Sequence, residues 1–471
     1  MSKQRIAIIG GGITGLAAAF YLEKEIKQGN IDAEYALYEG SGRLGGRIQT
    51  DYQDGFVIEK GPDSFLARKT SMSEFAKDVN MNEDLVDNHS GSFILHHHTL
   101  HPMPEGAVMG IPTKIMPFAK TKLFSPMGKA RAACDLVLPK TNNGQGDESL
   151  GHFFRKRLGN EVVDHLIEPL LSGIYAGNID QLSLQATFPQ FQQMENKYRS
   201  LIIGMKTQRA QNQTKTARPK NEKGSKPKGM FLTFLGGLQS FVDRIEERLD
   251  SGSVHKNKAL LEVNKLEDKY ELLFQDGTKD TVDRIILTTP HQQAFKLFEQ
   301  EKFMKYLGDI PSTSVATVAL AYPKEAIKKD IDGTGFVVSK KSGYTITACT
   351  WTHKKWVHSA PEGYALLRAY VGRAGDDSIV NMTDEEILGK VKEDLDHIMK
   401  IEGDPLFYRI KRWKEAMPQY EVGHLEQLQK VRQGLSEAYP GIDLVGASYN
   451  GIGLPDCVDQ GKAAVKRLVT S

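Results

Sequence analysis

The sequence predicts a mixed α/β chain, α+β overall, on three observations. A β-branched run near the N-terminus ends in a glycine turn and a helical pattern, the middle of the chain has helical periodicity, and later segments are short alternating runs separated by turn residues.

Arg5 to Gly10 contains Ile6-Ala7-Ile8-Ile9, a run suited to a strand buried on both faces. Thr14 to Lys27 places Leu16, Ala19, Phe20 and Ile26 at roughly helical spacing, and Glu34 to Glu39 reads as a second strand, completing a β-α-β unit. From Leu95 to Ile203 the pattern is helical, for example over Leu123 to Leu138, Leu150 to Leu158 and Glu161 to Leu171. Lys197 to Lys228 then holds ten Lys or Arg against one acid, Glu222, which predicts a mobile basic connector. Ser253 to Val282 alternates short strands around an Asp276-Gly277 turn, and Asp283 to Pro290 reads as a strand entering a tight turn. Val315 to Ala321, Thr345 to Thr350 and Ala365 to Val371 suggest an antiparallel sheet. Asp443 to Ala447 is a last strand, and Pro455 to Leu468 a last helix with proline in its first turn.

At 471 residues the chain exceeds one ordinary core and predicts two or three domains. A net charge of +2, from 61 basic and 59 acidic side chains, gives no field to draw in nucleic acid, so that class is excluded. Cys134, Cys349 and Cys457 have neither disulfide nor zinc spacing and are expected as interior fillers of a protein in a reducing cytoplasm. The sequence has no room for a secretory leader before the first strand, and no run approaches the roughly 20 apolar residues of a membrane span.

Gly10-Gly11-Gly12-Ile13-Thr14-Gly15 fits G-x-G-x-x-G where strand gives way to helix. Gly10 permits the turn, Gly12 lets backbone approach a diphosphate on the helix amides, and Gly15 allows helix and strand to pack closely. Glu39, at the end of the second strand, is placed to accept both ribose hydroxyls, which disfavours NADP. Arg43-Leu44-Gly45-Gly46-Arg47 adds a second glycine turn with two guanidiniums, suited to phosphate or to the anionic side of a reduced flavin, and so favours FAD over NAD.

His96, His97, His98 and His101 cluster, but consecutive residues on a strand face opposite ways, so no metal site is expected and they read as a polar hairpin tip before Pro102. Asp63 and Glu168 are candidate bases that the chemistry does not require, and Glu168 before Pro169 reads as a helix-terminal hydrogen-bonding group.

These motifs, with Asp54 to Phe65, resemble the flavoprotein monoamine oxidase and desaturase superfamily. Within it, Gly61-Pro-Asp-Ser-Phe65, Leu100-His-Pro-Met-Pro104, Ile167 to Gly177 and Gly451-Ile-Gly-Leu-Pro-Asp-Cys457 resemble the protoporphyrinogen/coproporphyrinogen oxidase family, most of all its branch from Gram-positive bacteria, over essentially the whole chain. The resemblance implies a p-hydroxybenzoate-hydroxylase-like FAD domain from residues 1–60, 224–300 and 436–471. It also implies a substrate domain from 61–94 and 301–435, a helical domain at 95–203 that faces membrane in relatives, and a basic flexible loop at 204–223. It places Gly61, Pro62 and Asp63, the adenine-side strand at Val263, and Gly446, Ala447, Gly453 and Leu454 at the cofactor. Many relatives carry Gly-Asp where this chain has Gly446-Ala447, so that acid is missing here. Lys69, with Arg68 beside it, falls where relatives hold a substrate propionate, and Phe65, Leu366 and Tyr370 are candidate walls.

The implied reaction is a six-electron, oxygen-dependent aromatisation of a porphyrinogen that releases hydrogen peroxide. Coproporphyrinogen III is the expected substrate and protoporphyrinogen IX the alternative. A flavin amine oxidase and a porphyrin-delivering scaffold are the readings from other classes. The implied partners are the porphyrinogen, O2 and, transiently, a ferrochelatase, with a peripheral contact at the inner face of the cell membrane.

Overall fold

The structure is a computed structural model that describes residues 3–141, 146–215 and 228–470. Its N-terminal strand Gln4–Ile9 lies at the centre of a five-stranded parallel sheet ordered Val254–His255, Ala33–Tyr38, Gln4–Ile9, Arg284–Leu287, Ile442–Leu444. Both faces of this sheet are covered, as the apolar run over residues 6–9 requires.

On one face lie the helices Ile13–Lys27 and Leu454–Thr470, whose Leu16, Ala17, Leu22, Val458 and Val465 share a buried core with Ile6 and Ile8. A Cβ on Gly461 would come within 2.6 Å of the Thr14 carbonyl oxygen, so glycine sets how closely the two helices approach. On the other face a three-stranded antiparallel sheet, Leu260–Lys265, Tyr270–Phe274 and Lys279–Val282, buries Leu272 and Phe274 against Ala7 and Ile9. The Asp276-Gly277 turn lies in this sheet, with Gly277 at φ +80°.

A seven-stranded sheet forms the second layer system, ordered Phe407–Pro418, Ser312–Pro323, Tyr364–Val371, Ile346–Trp351, Gly335–Val338, Ser92–His96, Thr99–Pro102. Its pairs are antiparallel except that between Gly335–Val338 and Ser92–His96. A helical layer built on Leu150, Phe153, Phe154, Leu166, Phe191 and Leu201 packs beside it. The expected helices at 150–158 and 161–171 are present, the latter as Asn160–Val162, a π segment Val163–Ile167, and Glu168–Tyr175.

Four sequence expectations need correction. Residues 95–102 belong to the seven-stranded sheet rather than to the helical layer, because Ile94 and Leu95 pair with Val337 and Val338 and are fully buried. The stretch read as a basic loop from residue 204 is helix over Leu201–Lys215. Leu201 and Met205, one turn apart, are buried in the helical core, and this apolar stripe outweighs the charge that follows. The rest of the proposed loop lies outside the described residues. Phe65, Met72 and Phe75 pack into the parallel-sheet core, and Leu428 and Val431 of the helix His424–Ala438 pack beneath that sheet, although both segments were expected in the substrate domain. Cys134 is exposed rather than a filler, while Cys349 and Cys457 are buried. The histidine run does form a hairpin tip, with His97 at φ +45° and His98 at φ +62° between Ser92–His96 and Thr99–Pro102.

Candidate functional site

The first helix begins at Gly12 without a side-chain cap and with no acid in its first turn, so its amides face outward unpaired by carboxylate. Gly10 has φ +108°, and a Cβ on Gly15 would lie 1.9 Å from the Gly10 carbonyl oxygen. Both glycines are therefore required by the turn. Glu39 is fixed by two backbone donors, Gly11 N–H and Ser41 N–H, each at 2.8 Å. The second glycine turn locks onto the first through Gly45 N–H to Gly11 O at 2.8 Å.

The two arginines of that turn have different places. Arg43 donates to the carbonyls of Leu44, Gly46 and Ile48 and so holds the turn itself. Arg47 lines the cavity described next, and withdrawal from water holds its guanidinium below the usual arginine range.

One cavity of about 1190 Å³ runs from Gly10, Gly12, Ile13, Thr14 and Glu39, past Gly45, Gly46, Arg47, Gly61, Pro62 and Asp63, to Ala447, Gly453 and Leu454. It continues into a chamber with apolar walls at Leu170, Ile174, Val337, Val338, Met417 and Ile452 and cations at Lys340, Lys355, Arg368 and Arg373. This volume exceeds that of a typical single-ligand site and has room for two occupants. The uncapped helix end, the glycine surface and the inward arginine suit the diphosphate and adenosine half of a dinucleotide.

The chamber wall over residues 168–177 follows the π segment, a feature common near functional sites. Asp164 in that segment receives Arg155 at 2.6 Å and Lys341 at 2.8 Å, which ties the wall to the sheet. Where the two halves meet, Asp63 bonds Lys355 at 2.8 Å and Ser64 Oγ at 2.7 Å. Burial alone would push its carboxyl up, but Lys355 and then Arg368 hold it well below the usual carboxylate range. Asp63 is thus an ion-pair member rather than a base.

Other proposed site residues lie elsewhere. Gly15 and Gly446 shape backbone beside the cavity, Gly446 at φ +126° with its N–H on Gln460. Val263 is buried in the core, and Lys258, Ala259 and Leu260 of the adjoining segment line the cavity instead. Phe65 packs against Phe234 with ring centroids 5.9 Å apart, and Leu366 against Phe56 and Ile58, so neither is a wall. Tyr370 is one, with the Arg368 guanidinium 4.9 Å from its ring centroid. Lys69 pairs with Asp456 outside the cavity lining, and Arg68 is exposed. Glu168 stands where expected, as the first residue of the helix Glu168–Tyr175, and also lines the chamber.

Lys355, Arg368, Arg373 and Trp413 were not anticipated. The available signal was Arg368 itself, one charge inside the otherwise apolar Ala365-Leu-Leu-Arg-Ala-Tyr-Val371 strand.

Residues 13–469 match the model of the flavin containing amine oxidoreductase family. The chain belongs to this family. It is an enzyme, and its cofactor is FAD. Among relatives of this flavoprotein, it is 51% identical to coproporphyrinogen III oxidase of Bacillus subtilis, over 99% of this chain and 98% of that protein. It is 43% identical to coproporphyrinogen III oxidase of Staphylococcus aureus, over 98% of each. A solved protein from Exiguobacterium sp. 255-15, which carries a provisional protoporphyrinogen oxidase name, superposes with a TM-score of 0.88 at 40% identity over 100% of this chain and 99% of that one.

Proposed function

We propose that this flavoprotein oxidises coproporphyrinogen III to coproporphyrin III with O2 as electron acceptor. The observation that carries the reading is the single cavity in which a dinucleotide motif opens directly onto a chamber with apolar walls and several cations. A tetrapyrrole bearing carboxylates needs that combination, and a small amine does not. The full-length likeness to the two coproporphyrinogen III oxidases supports the same choice.

In this reading Gly10, Gly12, Ile13 and Thr14 cradle the diphosphate of FAD and Glu39 accepts its ribose hydroxyls. Arg47, Gly61 to Asp63, Ala447, Gly453 and Leu454 surround the rest. When bound, the flavin supplies hydride acceptance and delivery of electrons to O2. The chain's own part is to exclude water, stack the macrocycle on aliphatic walls and present fixed cations to its carboxylates. No carboxylate is placed as a base by this reading, since the pyrrole nitrogens help drive hydride loss.

Anaerobic addition of coproporphyrinogen III to the yellow protein is expected to bleach the flavin absorbance, and benzylamine or putrescine to leave it unchanged. Bleaching by amines alone would overturn the reading. Protoporphyrinogen IX is the second reading, favoured by the name of the Exiguobacterium structure.

Among the described residues no helix is long and apolar enough to cross a membrane. The proposed location is the cytoplasm, with a peripheral contact through the helical layer. Ile115, Met127 and Val137 there are 76%, 82% and 71% exposed, near the exposed Lys114, Lys120 and Lys122. Flotation with anionic vesicles is expected for the wild type and to be lost in Ile115→Ser/Met127→Ser. A passing contact with a ferrochelatase would serve the same delivery of product.

A further inference from the structure

Arg368 is 3% exposed, lies on the strand Tyr364–Val371 and faces the cavity at the junction of its two halves. Its Nη2 donates to the Gly61 carbonyl oxygen, and its Nε is buried without a hydrogen-bond partner. No salt bridge of Arg368 is present among the described residues, and the nearby Asp63 carboxylate is taken up by Lys355. Gly61 in turn is pressed against the cofactor turn, since a Cβ there would lie 1.8 Å from the Arg47 carbonyl oxygen.

We infer that Arg368 is a positioning residue for the flavin, fixing the Gly61–Asp63 segment and setting beneath it a positive charge that favours the reduced cofactor. In the two-electron step a C–H bond of the substrate would break and its hydride would form an N–H bond on the flavin, the substrate discharging the positive charge left behind by releasing a proton to solvent, so a neutral oxidised ring would become an anion. A fixed cation in a water-poor site stabilises the more negative of the two states. The inference rests on the family's flavin and not on the porphyrinogen reading.

A direct bond to a substrate carboxylate is disfavoured at this position. The guanidinium is almost fully covered, its Nη2 is committed to Gly61, and Asp63 would repel an incoming anion. Glu59 is buried nearby, where burial raises its carboxyl to about 7 even as the Leu238 N–H and Thr50 hydroxyl bond it, so it offsets the cation incompletely near neutral pH.

The test uses flavin-loaded protein without porphyrinogen and has two readouts. One is the Kd for sulfite, which adds to oxidised flavin as an anion, and the other is the midpoint potential by dye equilibration during dithionite reduction. Arg368→Gln is expected to raise the sulfite Kd about tenfold or more and to lower the potential, a tenfold change being about 1.4 kcal/mol. Arg368→Lys is expected to keep both close to wild type, and Asp63→Asn to shift both in the opposite direction.

An Arg368→Gln protein with full flavin content and unchanged sulfite Kd and potential overturns the inference. If that variant does not retain flavin, unchanged values in Asp63→Asn overturn it, as does failure of Arg368→Lys to restore flavin retention.

Discussion

Lys69 shows how one contact changes a functional expectation. Its ammonium is bonded to Asp456, in the first turn of the last helix, and does not line the cavity. The cation is therefore engaged by Asp456 and not presented to the cavity. Because the pair is part exposed, it adds little to stability. Lys69→Ala is expected to leave KM and kcat close to wild type, whereas a several-fold rise in KM at unchanged kcat would mark a lost uniform binding contact. Asp456→Asn is expected to behave the same way. Steady-state kinetics with flavin content measured in parallel decides between this and a latch for the cofactor, since a latch would instead show flavin loss in both variants.

At the scale of elements, the helical layer hangs on one buried charge network. Arg157 is fully buried and donates to Asp135 at 2.6 Å, to Glu195 at 3.3 Å, and to the carbonyls of Pro139 and Arg199 at 2.7 Å. Asp135 also accepts from Ser200 Oγ and Ile202 N–H, so the network ties the helices Leu150–Leu158 and Pro189–Tyr198 to the start of Leu201–Lys215. Removing one partner of such a cluster leaves uncompensated buried charge, and Arg157→Met is expected to cost about 3–5 kcal/mol of stability. Chemical denaturation followed by far-UV circular dichroism measures this, and a change below 1 kcal/mol would show that the network adds little.

The periodicity of Leu150 to Leu158 made this helix legible, but nothing in it revealed that Arg157, among three consecutive basic residues, points inward. The same limit explains Leu201–Lys215. Composition over a long window reported its charge, whereas Leu201 and Met205, one turn apart, decided its structure. The N-terminal β-α-β unit was legible almost residue by residue, because glycine geometry and strand burial are local properties. The chamber was not, because its lining brings together Gly61, Leu170, Val337, Arg368, Met417 and Ile452, which meet only when elements far apart in the chain pack.

For the whole molecule, pH reads how the layers are joined. His96, on the sheet, is buried with its ring centroid 3.9 Å from that of His165 in the π segment. Burial, and then repulsion from His165, His97 and His101, lowers its pKa to about 4. The folded imidazole therefore refuses a proton that the unfolded chain takes up near 6.5, so its contribution to stability is intact above that pH and is lost as pH falls toward 4. A loss of about 1–3 kcal/mol is expected between pH 7 and pH 4.5, and His96→Leu should flatten that slope in urea titrations.

The largest-scale consequence is the choice between porphyrinogens, which depends on the charge of the chamber as a unit. Coproporphyrinogen III carries four carboxylates, while protoporphyrinogen IX carries two and has vinyl groups at the other two positions. Burying an ionised carboxylate without a partner is prohibitive, so a chamber for four acids must supply donors or water at each, and one for two acids can close two edges with aliphatic side chains. Here Lys340 and Arg373 lie along the lining, with Lys340 exposed at its edge, whereas Lys355 is engaged by Asp63 and Arg368 by the Gly61 carbonyl. Selectivity for coproporphyrinogen III is expected to reach about tenfold or more in kcat/KM, equivalent to about 1.4 kcal/mol or more of discrimination. Anaerobic stopped-flow reduction of the flavin by each porphyrinogen in one detergent measures it free of autoxidation. Arg373→Gln should narrow the ratio by weakening the four-acid substrate more. Equal or faster reduction by protoporphyrinogen IX would reverse the choice of substrate and leave the enzyme class intact.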